Sequence, residues 1–386
     1  MPNYFLTEEQ MMIRDLARQI AEEKVKPVRA ELDEKEEFPW EIVRILAQAD
    51  LFRVWVPEEY GGLGGGTLEL CLATEELSRA CAGVAVTYAG SALGGTPILL
   101  FGNEEQKRKY LPPLASGEKL AAFALTEPDA GSDAAAISTT AKKVDGGYVL
   151  NGTKQWITNG GEAEIYVVIA MTDKTKGARG ASAFIVEKGW EGFGFGKKER
   201  KMGIRASATR ELIFQDCFVP KENLLGREGM GFIVAMRTFD RTRPGIGAQS
   251  VGIAQGALDE ALAYAHQRHQ FGRPISSFQA IQHMLADMAT QIEAARALVY
   301  YAARLIDSGE KDISKISAMA KLFASDVAMR VTTDAVQIFG GYGYMREYPV
   351  EKMMRDAKIT QIYEGTNQIM RNIIAGELIK ELASRR

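Results

Sequence analysis

The chain has 386 residues, 46% hydrophobic and 25% charged, with 47 Lys+Arg against 50 Asp+Glu. That length suits two or three domains with buried cores and the composition excludes a disordered chain, while a net charge of −3 leaves no basic excess for neutralising phosphates, so nucleic acid is not an expected partner. The three cysteines, Cys71, Cys81 and Cys217, are odd in number and lack metal or redox spacing, which predicts reduced thiols in an intracellular protein.

Residues 1 to about 120 read as helical. Thr7 and Gln10 form a capping box, and Met12, Leu16 and Ile20 follow at helical spacing. Glu8 and Glu9 before any apolar run, and the absence of an Arg-rich leader, predict a bacterial cytoplasmic location, or the mitochondrial matrix for a chain whose leader was removed. Ser384-Arg385-Arg386 fits neither a prenylation nor a peroxisomal signal. Phe38-Pro39 opens a helix around Ile42, Ile45 and Leu46; Gly61 to Gly66 make a loop; Thr67 starts a helix running to about Ser78. Ala80 to Asn103 carries no charge and is long enough to span a bilayer, but its five glycines, Pro97 and hydroxyl residues predict a buried helix beside a ligand, with no membrane span. Glu104 to Ala115 follows as a short helix ending at Pro112-Pro113 or Gly117.

Near Leu120 the pattern changes from helical to extended, with β-rich runs at Thr139 to Val144, Tyr148 to Thr158, Ile165 to Met171, Ala183 to Val186 and Glu211 to Val219. Asp145-Gly146-Gly147 joins the first two as a hairpin. From Phe232 the helical pattern returns: Ile233 to Arg268, kinked or restarted at Pro244, then Phe278 to Ser308, Ile313 to Phe339, Pro349 to Tyr363 and Gly365 to Ala383. The expected fold class is α+β, with a helical domain over 1–120, a β domain over 121–231 and a helical domain over 232–386.

No G-x-G-x-x-G and no G-x-x-x-x-G-K-[ST] occurs, so any nucleotide cofactor is held in another way. His266, His269 and His283 lack Cys or carboxylate companions at zinc spacing, so no metal is expected. Ser116-Gly117-Glu118-Lys119 fits S-x-x-K without the elements that accompany it in serine acyl enzymes.

Two segments stand out. Leu125-Thr126-Glu127-Pro128-Asp129-Ala130-Gly131-Ser132-Asp133 precedes Asn151-Gly152-Thr153-Lys154-Gln155-Trp156-Ile157-Thr158-Asn159-Gly160. Far downstream, Gln337-Ile338-Phe339-Gly340-Gly341-Tyr342-Gly343 leads through Arg355-Asp356-Ala357-Lys358 to Ile362-Tyr363-Glu364-Gly365-Thr366-Asn367-Gln368. With Phe239-Asp240-Arg241-Thr242-Arg243-Pro244 and Arg268-His269-Gln270-Phe271-Gly272 between them, these blocks resemble the acyl-CoA dehydrogenase flavoproteins, in the family's order and over essentially the whole chain. The resemblance implies an N-terminal helical domain, a middle β-barrel or sandwich domain and a C-terminal four-helix bundle.

It also implies α,β-dehydrogenation of an acyl-CoA thioester, with FAD accepting hydride at N5 and an electron-transferring flavoprotein taking the electrons onward. Glu364 matches the family's base, whose backbone N–H and a flavin ribityl hydroxyl stabilise the carbonyl oxygen as the α-proton leaves. Burial is expected to raise its pKa. Read alone, Glu364 is also a carboxylate favoured at the start of the next helix. One branch of the family carries its base at the position of Thr242, and Thr cannot serve. Thr126, Ser132, Trp156, Thr158, Thr366 and Gln368 match cofactor contacts within the subunit. Arg268, Phe271, Gln279, Gln337 and Gly341 match residues that reach a neighbouring subunit's FAD, which implies a homotetramer built from dimers. Ser132, Asp240, Arg243, Tyr363 and Gly365 match residues that meet the acyl-CoA.

For the acyl group, Ala89 stands where some medium-chain members carry a glutamate, and Val84 where glutaryl-specific relatives carry an arginine. With no Lys or Arg between Ala80 and Asn103, a dicarboxylic substrate is disfavoured. Tyr88 is expected to shorten the pocket. A short straight-chain substrate such as butyryl-CoA is favoured, with medium-chain or small branched acyl-CoA close behind. The rivals are a scaffold that has lost flavin and an oxidase that uses oxygen directly.

Overall fold

The computed structural model of the chain describes residues 4–384; Met1 and Arg385-Arg386, part of the termini inspected for targeting signals, lie outside them. Thr7 begins α1 (Glu8–Ile20) with the expected reciprocal cap, Gln10 N–H donating to the Thr7 hydroxyl at 3.2 Å and Thr7 N–H to Gln10 Oε1 at 3.0 Å. A π-helical turn (Ala21–Val25) leads to α2 (Arg29–Lys35), which the periodicity did not announce. Then come α3 (Trp40–Gln48), α4 (Thr67–Ala80), α5 (Ala82–Phe101) and α6 (Glu104–Ala115). α6 continues through Pro112-Pro113, Ser116 N–H still reaching the Pro112 carbonyl at 3.0 Å.

The strands are β1 (Ala121–Ala124), β2 (Thr140–Val144), β3 (Gly147–Thr158), β4 (Ile165–Met171), β5 (Ala181–Glu187), β6 (Phe193–Lys198), β7 (Thr209–Pro220) and β8 (Leu224–Leu225). They form one mixed sheet in the order β6-β7-β3-β2-β4-β5-β8, with β1 added in parallel on β4. Val144 pairs with Gly147 across Asp145-Gly146, and Gly146 takes φ +75°, the left-handed conformation such a hairpin requires.

The helices α7 (Gly231–Gln267), α8 (Gln279–Asp307) and α9 (Ser314–Phe339) pack on one another, and α10 (Val350–Ile359) and α11 (Asn367–Ser384) close on α9. α7 does not restart at Pro244. It is sandwiched between α4 and α9, and that packing offsets an interior proline's cost of about 3 kcal/mol.

Two apolar clusters fill the molecule, one spanning the N-terminal helices and the sheet, the other the C-terminal helices with parts of α4 and α5. α5 serves both: Val84, Ala85 and Tyr88 belong to the first, Ala82 and Val86 to the second. The charge-free run is therefore a core helix, with 72% of its most apolar window buried. Its glycines mostly serve packing instead of leaving ligand space. A Cβ on Gly94 would lie 2.5 Å from Ala122 N, and one on Gly90 2.8 Å from Thr158 Cγ2, so α5 can touch the sheet only where these side chains are missing. Asn159 completes the attachment, its Nδ2 donating to the Thr87 carbonyl at 3.0 Å.

Candidate active site

A crevice opens where α4, α5 and α7 meet the ends of β1 and β3. Leu70 and Cys71 of α4, Ala89 and Leu93 of α5 and Ile246 of α7 give it an apolar end, and the segment between α10 and α11 brings Tyr363 and Glu364 to its wall.

Glu364 is held there in an unusual backbone state. Its φ is +51°, which costs a residue with a side chain roughly 1–2 kcal/mol, and Gly365 follows at φ +98°. Thr242 Oγ1 donates to Glu364 Oε2 at 2.7 Å, and Arg243 Nε donates to the Glu364 carbonyl at 3.2 Å. Arg243 is braced by Asp240 at 3.1 Å, and Asp240 by the Ser314 hydroxyl at 2.5 Å. Burial pushes the Glu364 carboxyl up to about 7, although Thr242, Arg243 and Lys321 pull the other way. The Glu364 N–H has no hydrogen-bond partner among the described residues. Helix capping does not explain the residue: α11 starts at Asn367, and the Thr366 hydroxyl accepts Ile369 N–H at 3.2 Å. A carboxyl that titrates near neutrality beside a free N–H, in an apolar wall, is suited to taking a proton from carbon next to a carbonyl.

The opposite wall comes from the sheet. Between Lys154 and Ile157 the pairing of β3 with β7 slips by one residue, and the bulge puts Trp156 at φ +57°. The residue is consequently 59% exposed and lines the crevice. Thr126 and Thr158 line the same wall, and neither hydroxyl has a hydrogen bond among the described residues. A bare aromatic face between unpartnered hydroxyls fits a flat, polar-edged ring system such as the flavin of FAD. Behind this wall Lys154 is fully buried, its Nζ donating to the Leu125 carbonyl at 2.9 Å and to Glu127 Oε1 at 2.8 Å. Glu127 also accepts Ser138 N–H at 2.6 Å and Thr139 N–H at 3.0 Å. The pair thus ties the loop that carries Thr126 and Ser132 to β3. Burial lowers Lys154 to about 8 against the pull of Glu127; burial raises Glu127, but Lys154 and the hydrogen bonds outweigh it and hold it at about 2.

The remaining expected residues fall into separate places. Ser132 and Gln368 are exposed. Arg268 and Gly341 share a second groove, and Phe271, at the tip of a hairpin between α7 and α8, is 92% exposed; Gln279 and Gln337 are exposed as well. Asp240 and Arg243, expected to meet the acyl-CoA, are buried against each other behind Glu364. Tyr88 is not in the crevice: it lies in the core against Phe52 and donates to the Leu51 carbonyl at 2.9 Å. Val84 is likewise a core residue. Arg241, outside the span scanned for cations, does line the crevice, with no carboxylate in salt-bridge range among the described residues.

Comparison with known proteins gives matches to three family models: "Acyl-CoA dehydrogenase, N-terminal domain" over residues 7–118, the middle domain over 122–217 and the C-terminal domain over 229–379. A short-chain specific acyl-CoA dehydrogenase of Clostridium acetobutylicum is 51% identical, the match covering 98% of this chain and 100% of that one. Among solved structures, butyryl-CoA dehydrogenase of Megasphaera elsdenii superposes with a TM-score of 0.95 at 52% identity, covering 97% and 99% of the two chains. A chain from a structure described as the electron transferring flavoprotein of Acidaminococcus fermentans does so with a TM-score of 0.95 at 56% identity, covering 97% and 98%.

Proposed function

The chain belongs to the acyl-CoA dehydrogenase family, oxidoreductases that depend on FAD, and we propose that it oxidises a short straight-chain acyl-CoA such as butyryl-CoA to the trans-2-enoyl-CoA. The observation that carries this reading is Glu364, a carboxyl raised to about 7 whose own N–H has no partner among the described residues. Its carboxylate takes the α-proton while its N–H supports the growing negative charge on the thioester oxygen. Bound FAD supplies the acceptor for the β-hydrogen. Thr126, Trp156 and Thr158 hold it on the sheet side with Ser132, Thr366 and Gln368 around them, and Tyr363 and Gly365 flank the acyl group. Arg268, Phe271, Gln279, Gln337 and Gly341 face outward to serve a neighbouring subunit's FAD in a homotetramer. An electron-transferring flavoprotein takes the electrons onward, a reading supported by the Acidaminococcus match.

The substrate is tested by anaerobic visible spectra of the yellow protein with a series of acyl-CoAs. Butyryl-CoA is expected to bleach it fastest, with octanoyl-CoA at least about tenfold slower, because Leu70, Cys71, Leu93 and Ile246 close the apolar end. Equal rates across the series would sink the short-chain assignment. Glutaryl-CoA belongs in the same series, since Arg241 could pair a distal carboxylate. Faster bleaching by glutaryl-CoA than by butyryl-CoA would overturn the straight-chain choice.

The base makes a pH prediction. The rate of flavin reduction at low butyryl-CoA rises with pH through about 7, as Glu364 ionises. Thr242 stabilises the ionised form through its hydroxyl, a bond to a charged group worth about 1.5–3 kcal/mol. Thr242→Val is therefore expected to move the midpoint upward by about one pH unit, read by stopped-flow spectroscopy across pH 5–9. A midpoint that stays in place means that this hydroxyl does not set the basicity of Glu364.

A further inference from the structure

Lys321 lies within α9 with its side chain wholly buried, yet no carboxylate among the described residues bonds it. Its ammonium instead reaches the turn that carries Glu364, donating to the Gly365 carbonyl at 2.7 Å and to Asn367 Oδ1 at 2.8 Å. Asn367 is fixed in turn by Ser325 at 2.9 Å and Asp326 at 2.7 Å. On the other side of the turn, Arg243 of α7 holds the Glu364 carbonyl at 3.2 Å. Two cations from two helices therefore grip two successive carbonyls, both belonging to residues with positive φ.

A buried ammonium without a counter-ion in contact is expensive, and burial lowers Lys321 to about 7. The charged groups around it are Glu364 in the turn, Arg243 on α7 and Asp326 on α9, with Arg371 of α11 paired to Asp326 at 3.1 Å. An apolar residue would fill the same place in α9 without that desolvation, so the cost points to a task at the turn. With both carbonyls held back, the Glu364 carboxyl and N–H are left together at the crevice.

We propose that Lys321 is the positioning residue of the base: by gripping the Gly365 carbonyl and the Asn367 side chain it fixes the Glu364–Gly365 turn in its proton-accepting arrangement. The proposal rests on the reading of Glu364 as the base.

Lys321→Met, prepared as the FAD-loaded enzyme, tests it. Butyryl-CoA affinity, measured by calorimetry with the flavin kept reduced, is expected to change by no more than about twofold, because Lys321 does not line the crevice. The limiting rate of flavin reduction is expected to fall about 30-fold or more as the base loses its alignment. The pH midpoint of that rate should move upward, since a cation that favours the Glu364 carboxylate is gone. Lys321→Arg restores charge without the same reach and is expected to recover the midpoint but not the rate. A folded, FAD-replete Lys321→Met enzyme with unchanged rate and midpoint overturns the proposal, and so does one that is merely less stable. If that variant does not fold, Asn367→Ala, at the buried start of α11, removes one of the two acceptors; an unchanged rate there overturns the proposal equally. Glu364→Gln run alongside separates the two readings: an active Glu364→Gln enzyme means that the base was misassigned, an inactive one beside a normal Lys321→Met enzyme that only the role of Lys321 was.

Discussion

Glu364→Gln is expected to remain yellow and to bind butyryl-CoA, but its flavin should be reduced about 10³-fold or more slowly, the loss that follows when a general base is removed. Glutamine has the same length, its carbonyl oxygen can accept the Thr242 hydroxyl, and the Arg243 contact is to the unchanged backbone carbonyl. The φ of +51° is no harder for glutamine than for glutamate. Only basicity disappears. Because burial already opposes the charged carboxylate, the variant is expected to be at least as stable as the parent above pH 7. Stopped-flow reduction, FAD content and thermal unfolding together check this outcome. Reduction at the parental rate would remove Glu364 from the mechanism, whereas a colourless preparation would show that the substitution had damaged the fold instead.

The second large effect is on stability. Lys154→Met strands Glu127, which is 2% exposed and has no other cation in salt-bridge range among the described residues. Breaking a buried ion pair by deleting one partner costs about 3–5 kcal/mol. The intact pair itself adds little net stability, because burial opposes both charges while their mutual attraction favours them. The double variant Glu127→Gln with Lys154→Met is therefore expected to recover most of the loss. Urea unfolding gives the stabilities, and retained FAD reports whether the Thr126 loop has come away from β3. The single and double variants unfolding at the same urea concentration would contradict the argument. The acid limb carries a second signature. Glu127 has a folded value of about 2 against 4.5 ordinarily, so its contribution is present above pH 4.5 and fades as the pH falls toward 2.

The order of helical, extended and helical segments was legible because it is written in local periodicity: β3 and β4 are β-rich runs, and α8 and α9 keep helical spacing for more than twenty residues. β1 and β6 were not legible, since Ala-Ala-Phe-Ala is fully buried without alternation and Phe-Gly-Phe-Gly-Lys-Lys has glycine at alternate places. Neither has strand propensity of its own, and both exist through their neighbours. Glu364 could be found because its neighbours in sequence are distinctive. The groups that set its chemistry could not, because Thr242 and Lys321 arrive from helices distant in the chain. Trp156 shows the same limit at shorter range: an aromatic in a strand reads equally as core, and only the bulge in the β3–β7 pairing turns it outward.

The double duty of α5 has a consequence for how such a protein can change over generations. Ala89 and Leu93, one helical turn apart, face the crevice, whereas Val84, Ala85, Tyr88 and Ala92 are committed to the core on the other side. Mutations on the first stripe can lengthen, shorten or polarise the acyl site without disturbing the second. Substrate range and foldability are thereby inherited through different residues of one helix, so drift in diet need not pass through an unfolded ancestor.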